Sequence, residues 1–169
     1  VYLLNSGMGS LFLIVGAVAV LVKAGWISEN ITAFLVQLDI TDMLPLLICA
    51  VVCMVASMNL ITAPSVSLEG SSIWILQSLP VDPWKVLRAK LELHVLVTAL
   101  PAVVCTAVLL AVLRVPLLDS VLAVLAVCLF VLFCAAFGLV MNLLLPNLKW
   151  NSEAVAIKQS MSTMIAMFG

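Results

Sequence analysis

Charged residues are scarce in this chain. Only 9% of its 169 residues are Asp, Glu, Lys or Arg, whereas 66% are hydrophobic, and the mean hydropathy is +1.36. Soluble domains have about a quarter charged residues, so this chain lacks the polar groups that would cover a water-facing surface. Its net charge of -1 provides no field that attracts polyanions. These shortages exclude an ordinary soluble domain, a nucleic-acid-binding protein and a disordered tail.

Catalytic motifs are missing as well. The sequence has no Gly-x-x-x-x-Gly-Lys-Ser/Thr loop for ATP, no His-Glu-x-x-His motif and no Gly-x-Ser-x-Gly elbow. His94 is the only histidine and is interpreted as a residue near the membrane interface, because one imidazole does not form a metal site. We therefore expect no enzyme activity, no catalytic residue, no metal and no cofactor in this chain.

What the chain does contain is long apolar stretches. No charge occurs in residues 1–22, 43–68, 93–113 or 120–148. Each stretch has at least 21 residues, and about 20 apolar residues are enough for a helix to cross a bilayer. The predicted fold is an all-α, polytopic transmembrane helix bundle in the cell membrane. Its spans are predicted at about 1–22, 43–63, 91–113 and 119–145, with an incomplete fifth span at 154–169.

The basic residues predict how the bundle is oriented. Segments 64–92 and 146–158 hold five Lys and Arg residues, and the two other connections hold only Lys23 and Arg114. Because cytoplasmic connections carry the excess of positive charge, both segments are predicted to be cytoplasmic. The chain begins and stops within apolar sequence, so we interpret 1–169 as one transmembrane domain that is a fragment of a longer protein.

Small residues inside the spans predict close helix packing, because helices in lipid associate through close backbone approach and interhelical hydrogen bonds. Cys134, Gly138 and Asn142 recur every four residues in the fourth span. Asn142 is predicted to bond across helices, with the lining of a substrate path as the alternative. Gly9 and Gly16 share one face of the first span. All five cysteines are interpreted as small buried apolar residues.

The connection at 64–90 is predicted to be a cytoplasmic elbow with a short helix between spans two and three. Its helix-length stretch begins near Glu69, where a carboxylate complements the helix dipole, and it ends at Pro80. A second helix start follows, with Asp82 as N-cap and Pro83 at the first helical position. Residues 80–83 are therefore predicted to act as a joint.

A further proline, Pro101, lies inside the third span. It lacks an N–H group and its ring clashes with the preceding turn, so we expect a kink there. Such bends serve transporters but also occur in passive membrane helices, so the sequence leaves the role of this proline in motion open.

Three motifs in the elbow resemble the cytoplasmic loop of ABC-2 type exporter permeases. They are Glu69-Gly70-Ser71, Leu76-Gln77-Ser78-Leu79-Pro80-Val81 and Trp84-Lys85-Val86-Leu87-Arg88-Ala89-Lys90. A second region resembles one bacterial branch of ABC exporter permeases. It consists of Leu148-Lys149-Trp150-Asn151 and Ile157-Lys158-Gln159-Ser160.

The resemblance implies the membrane subunit of a bacterial ATP-binding cassette exporter, whose coupling helix docks on an ATP-hydrolysing subunit. ATP and Mg would bind to that partner. The other expected partners are the lipid bilayer and either the remaining permease spans or a second permease copy. Carried over to this sequence, the docking residues are Glu69, Gly70, Ser71, Ile73, Trp74, Leu76 and Leu79. The residues just before Glu69 lack the charge typical of the family, which favours docking through apolar and hydroxyl contacts.

The residues alone also allow a second interpretation. The elbow helix could lie at the lipid headgroups as a simple anchor, because a short apolar-faced helix binds an interface without a partner. The chain would then be a non-transporting membrane scaffold or sensor. In either case the apolar spans do not identify a substrate.

Overall fold

The computed structural model describes residues 7–37, 41–59, 61–62, 65, 67, 78 and 82–145. Over these residues the prediction of an all-α chain is confirmed, because every regular element is helical. The helices are α1 (Met8–Val22), α2 (Ala24–Gln37), α3 (Leu44–Ala56), α4 (Pro83–Val112) and α5 (Leu117–Leu144). A single 3-10 turn, Thr41–Met43, precedes α3.

Two of these helices are long and apolar enough to cross a membrane. α4 has 30 residues and α5 has 28, which at the α-helical rise gives lengths of about 45 and 42 Å. The hydrocarbon layer is only about 30 Å thick, so both helices exceed it. They correspond to the predicted spans 91–113 and 119–145. α4 begins earlier than the predicted span because the capped amphipathic turn at Pro83 continues into it without a break.

The first two predicted spans have a different form. α1 has 15 residues and reaches spanning length only together with Ala24–Phe34, from which it is bent by 93°. α3 has 13 residues, about 20 Å, and ends at Ala56 rather than near residue 63. The spans 1–22 and 43–63 therefore stay predictions. The predicted fifth span, 154–169, lies outside the described residues.

The helices pack around a narrow core of small and branched side chains. On α5 the buried positions recur every four residues, at Ala123, Val127, Val131 and Ala135. The opposite face of the same helix exposes large apolar side chains: Val121, Leu125, Leu129 and Phe133. A water-soluble bundle would cover such a continuous apolar face, so this surface matches an apolar surrounding.

The two ends of the bundle differ in which connections they carry. At one end the residues after α3 meet the start of α4 and the end of α5. At the other end α2 lies beside the α4–α5 turn, and Lys23 and Arg114 belong to this end. The basic residues of 82–90 are thus separated from Lys23 and Arg114 by the length of the bundle. The orientation predicted from the Lys and Arg residues needs these two groups at opposite ends.

At Gly9 the backbone of α1 comes close to the end of α3. A Cβ atom added there would collide with the carbonyl oxygen of Val55 and lie 2.9 Å from Oδ1 of Asn59. At Gly16 an added Cβ atom would meet nothing within 4 Å among the described residues. Of the two glycines predicted to pack, only Gly9 therefore has a close neighbour in the described part of the chain.

Gly9→Ala should lower the free energy of unfolding by about 1–3 kcal/mol, because the obstructing atom is backbone and cannot rotate away. Gly16→Ala is the matched control and should be neutral or stabilising by up to about 1 kcal/mol, from helix propensity. Both variants of the full chain would be unfolded in detergent micelles by titration with SDS. A Gly9→Ala variant as stable as the parent would contradict the close approach.

Candidate functional site

The buried polar side chains gather at the end of the bundle where the chain leaves α3. We call them the polar cluster: Ser10, Asn59, Thr62, Ser67, His94, Thr98 and Asn142, none more than 6% exposed. The described residues just after Ala56, at 57–59 and 61–62, are not α-helical, so their backbone groups are not all paired within α3. In an apolar surrounding such groups need other partners, and the polar cluster supplies several of them.

His94 and Asn142 hold the backbone of Thr62 from two sides. The Thr62 N–H donates to Nδ1 of His94 at 3.3 Å, and the Thr62 hydroxyl lies 3.2 Å from the same atom. Nδ2 of Asn142 donates to the Thr62 carbonyl oxygen at 3.4 Å. Because Nδ1 accepts from a backbone N–H, a neutral His94 ring carries its hydrogen on Nε2. That Nε2 atom is buried and has no hydrogen-bond partner among the described residues.

Asn142 also reaches further along the same segment. Its Oδ1 accepts a hydrogen bond from the Ser67 hydroxyl at 2.7 Å, and both side chains are fully buried. Through Thr62 and Ser67 the Asn142 amide is bonded to the connection between α3 and α4, and its predicted bonding across helices stays a prediction. Gly138 on the same face is buried and Cys134 is half-buried.

Ser65 and Lys90 add further hydrogen bonds to backbone carbonyl oxygens of the elbow's first residues. The Ser65 hydroxyl donates to the Thr62 carbonyl oxygen at 2.8 Å, and Nζ of Lys90 donates to the Ser65 carbonyl oxygen at 3.0 Å. Lys90 is half-buried on the first turns of α4. Its charged end therefore fixes the elbow's first residues to the helix that follows the elbow.

Asn59 joins α1 to α4. Its Oδ1 accepts from the backbone N–H of Ser10 at 3.1 Å, and its Nδ2 donates to the Thr98 hydroxyl at 3.2 Å. Ser10 is in the first turn of α1, and its N–H also donates to the Gly7 carbonyl oxygen at 3.1 Å. Gly7, the N-cap of α1, has no side chain that could accept a hydrogen bond. Asn59 is thus a second acceptor for the Ser10 N–H and ties the start of α1 to α4.

The predicted start of α4 is confirmed. The Asp82 carboxylate accepts a hydrogen bond from the Trp84 N–H at 3.1 Å, and Pro83 is the first helical residue. Arg88 and Glu92 form an exposed ion pair of 2.7 Å on the same helix. α4 continues as one helix through Pro101, whose side chain is buried.

The predicted docking residues Glu69, Gly70, Ser71, Ile73, Trp74, Leu76 and Leu79, together with Pro80, lie outside the described residues. Ser78 is described and is exposed. Ser67, near the N-terminal end of the elbow, is bonded to the polar cluster. Asp82, farther along the elbow, caps the start of α4. The structure therefore places both ends of the elbow at the polar end of the bundle.

Sequence reasoning missed most of the polar cluster. His94 was interpreted as an interfacial residue, yet it is 2% exposed and bonded to Thr62. A signal was present, because His94 and Thr98 stand four residues apart and share one face of an otherwise apolar helix. The residues that bond to that face come from 59–67. Helical periodicity does not predict where this segment lies.

The described residues contain no group of three His, Cys, Asp or Glu side chains that could hold a metal ion. No protein-family model, curated protein or solved structure matches the chain. What the described part of the chain defines is a helical protein with two apolar, membrane-length helices and a hydrogen-bonded polar end.

A double-mutant cycle should detect the bond between Ser67 and Asn142. Ser67→Ala and Asn142→Leu should each destabilise the full chain, and the two changes should be coupled by about 0.6–1.7 kcal/mol, the range for hydrogen bonds inside membrane proteins. The measurement is SDS unfolding in detergent micelles.

Ser28→Ala combined with Asn142→Leu is the control cycle. Ser28 belongs to the opposite end of the bundle, where its hydroxyl bonds only to Gly25 among the described residues, so these changes should be additive. Equal coupling in the two cycles would contradict a direct bond between Ser67 and Asn142.

Proposed function

We propose that this chain is a permease subunit of an ATP-binding cassette exporter in the bacterial cell membrane. It would move a substrate across the membrane with energy from ATP that a separate nucleotide-binding subunit hydrolyses. The observation that carries the proposal is the exporter-like motif series at 69–90, placed between apolar helices and joined to them at both sides.

The anchoring of the elbow supports a role in transmitting movement. On its N-terminal side, Thr62 and Ser67 are bonded to His94 of α4 and Asn142 of α5. On its C-terminal side, the Asp82 cap and Pro83 start α4 directly. A displacement of the docking segment, Glu69 to Leu79, would therefore act on both membrane-length helices.

The proposed mechanism begins at the partner subunits. When two nucleotide-binding subunits close on ATP and Mg, they push the docking segment and tilt α3 and α4. Pro101 provides a place for α4 to bend, because proline cannot donate to the carbonyl oxygen four residues earlier. The cavity between this permease and its second copy, or its remaining spans, would then open toward the other side.

Substitutions in the docking segment should weaken binding of the nucleotide-binding partner subunit. Trp74→Ala should reduce affinity about 30-fold if Trp74 is a buried anchor of the interface. Glu69→Gln should reduce stimulation of ATP hydrolysis in reconstituted complexes. The measurements are co-purification and the ATPase rate with and without the permease.

Trp26→Ala is the matched control, because Trp26 is 65% exposed on α2 at the opposite end of the bundle and lies outside the exporter-like motifs. It should leave both association and stimulation unchanged. If Trp74→Ala and Glu69→Gln also leave both unchanged, the docking role is wrong. The interfacial anchor of a scaffold or sensor would then account for the elbow.

A further inference from the structure

A cleft lies between α4 and α5 at the end of the bundle opposite the polar cluster. Its volume is about 570 Å³, and apolar side chains form most of its wall, among them Leu110, Leu117, Val121 and Val124. Among the residues that the structure describes, Arg114 is the only charged one that lines it, in the turn that joins the two helices. We call this space the α4–α5 cleft.

The backbone of Arg114 ends α4. Its φ angle is +52°, and it is the one non-glycine residue with positive φ in the described part of the chain. This left-handed conformation is a common way for a helix to end, and here the Arg114 N–H donates to the Ala111 carbonyl oxygen and the Val115 N–H donates to the Leu110 carbonyl oxygen. The side chain is exposed, and its guanidinium makes no ion pair or hydrogen bond with any described residue.

The carboxylates nearby do not neutralise this cation. A second cavity of about 600 Å³ adjoins Arg114 and is lined by Ser28, Thr32 and Glu29, but Glu29 forms no ion pair with the guanidinium. Asp119 lines a different cavity, together with Asp42. The Arg114 guanidinium, which forms no ion pair with a residue that the structure describes, therefore lies where an apolar cleft meets a polar one.

We propose that the α4–α5 cleft binds one anionic phospholipid, with its phosphate on Arg114 and an acyl chain along the apolar wall. Arginine pairs with phosphate through two parallel hydrogen bonds, and this geometry suits a headgroup at the end of a span. The wall lies between two membrane-length helices, so the surrounding bilayer can supply an acyl chain directly. This inference is independent of the proposed transport function.

The experiment uses the full chain in phosphatidylcholine vesicles that contain a minor fraction of phosphatidylglycerol, with bromine on the acyl chains of one lipid at a time. Leu117→Trp serves as the reporter, because this side chain lines the cleft and is 84% exposed. The native tryptophans are replaced by phenylalanine: Trp26, Trp74, Trp84 and Trp150. Quenching of the reporter by each brominated lipid gives its relative affinity for the cleft.

We expect brominated phosphatidylglycerol to be preferred about fivefold, the effect of one basic residue near an anionic lipid. Arg114→Gln should reduce the preference to about one, and Arg114→Lys should retain part of it. Lys23→Gln is the matched control, since Lys23 is exposed at the same end but lines neither cavity, and it should leave the preference unchanged.

Three results would overturn the proposal. Equal quenching by the two lipids in the parent chain would mean that the cleft does not select an anionic lipid, or that another segment of the protein fills it. An equal loss of preference in Lys23→Gln and Arg114→Gln would mean that general surface charge attracts the lipid. If soluble glycerol phosphate abolished the preference, the site would take a free anion instead of a lipid.

Discussion

The structure depends on one constraint: backbone groups that leave a helix within an apolar bundle must still be hydrogen-bonded. The chain meets this constraint where α3 ends. His94, Asn142 and Lys90 bond to the backbone at Thr62 and Ser65, and Asn59 bonds to the backbone of α1. His94 and Lys90 belong to α4 and Asn142 belongs to α5, so the bonds to the backbone of Thr62 and Ser65 also fix these two helices to one another.

The same arrangement explains why the two ends of the bundle differ. The polar end is held by directional hydrogen bonds and by the close contact at Gly9. Along the rest of the bundle, small residues such as Ala102, Ala123 and Ala135 allow helices to approach through apolar contact. At the opposite end, α2 is bent away from α1 by 93° and cavities adjoin Arg114. If the proposed function is correct, the polar end of the bundle receives force from the ATPase. The transport cavity then opens toward the opposite end.

Much of the fold could be predicted from local sequence. The charge-free stretches predict α4 and α5 because helix length and bilayer thickness are directly comparable. Asp82 and Pro83 predict the start of α4 because a capped helix start depends only on neighbouring residues. Asn142 stands out because an amide in a long apolar run needs a partner.

The rest depends on tertiary contacts that no local pattern contains. Charge spacing places the end of the second span near residue 63, but α3 ends at Ala56, and Asn59 just beyond it is engaged by α1 and α4. Gly9 and Gly16 are equivalent in the sequence, and only the position of Val55 distinguishes them. His94 looks like a lone interfacial histidine until Thr62 is brought against it.

The most direct test of the account asks which side of the membrane its polar end faces. In a chain whose five cysteines are replaced by alanine, Ser78→Cys would report on the elbow and Glu29→Cys on the opposite end, since both positions are exposed. A membrane-impermeant maleimide should label Glu29→Cys in intact cells and label Ser78→Cys only after the membrane is opened. Labelling of Ser78→Cys from outside intact cells would contradict a cytoplasmic elbow, and with it the proposed coupling to an ATPase.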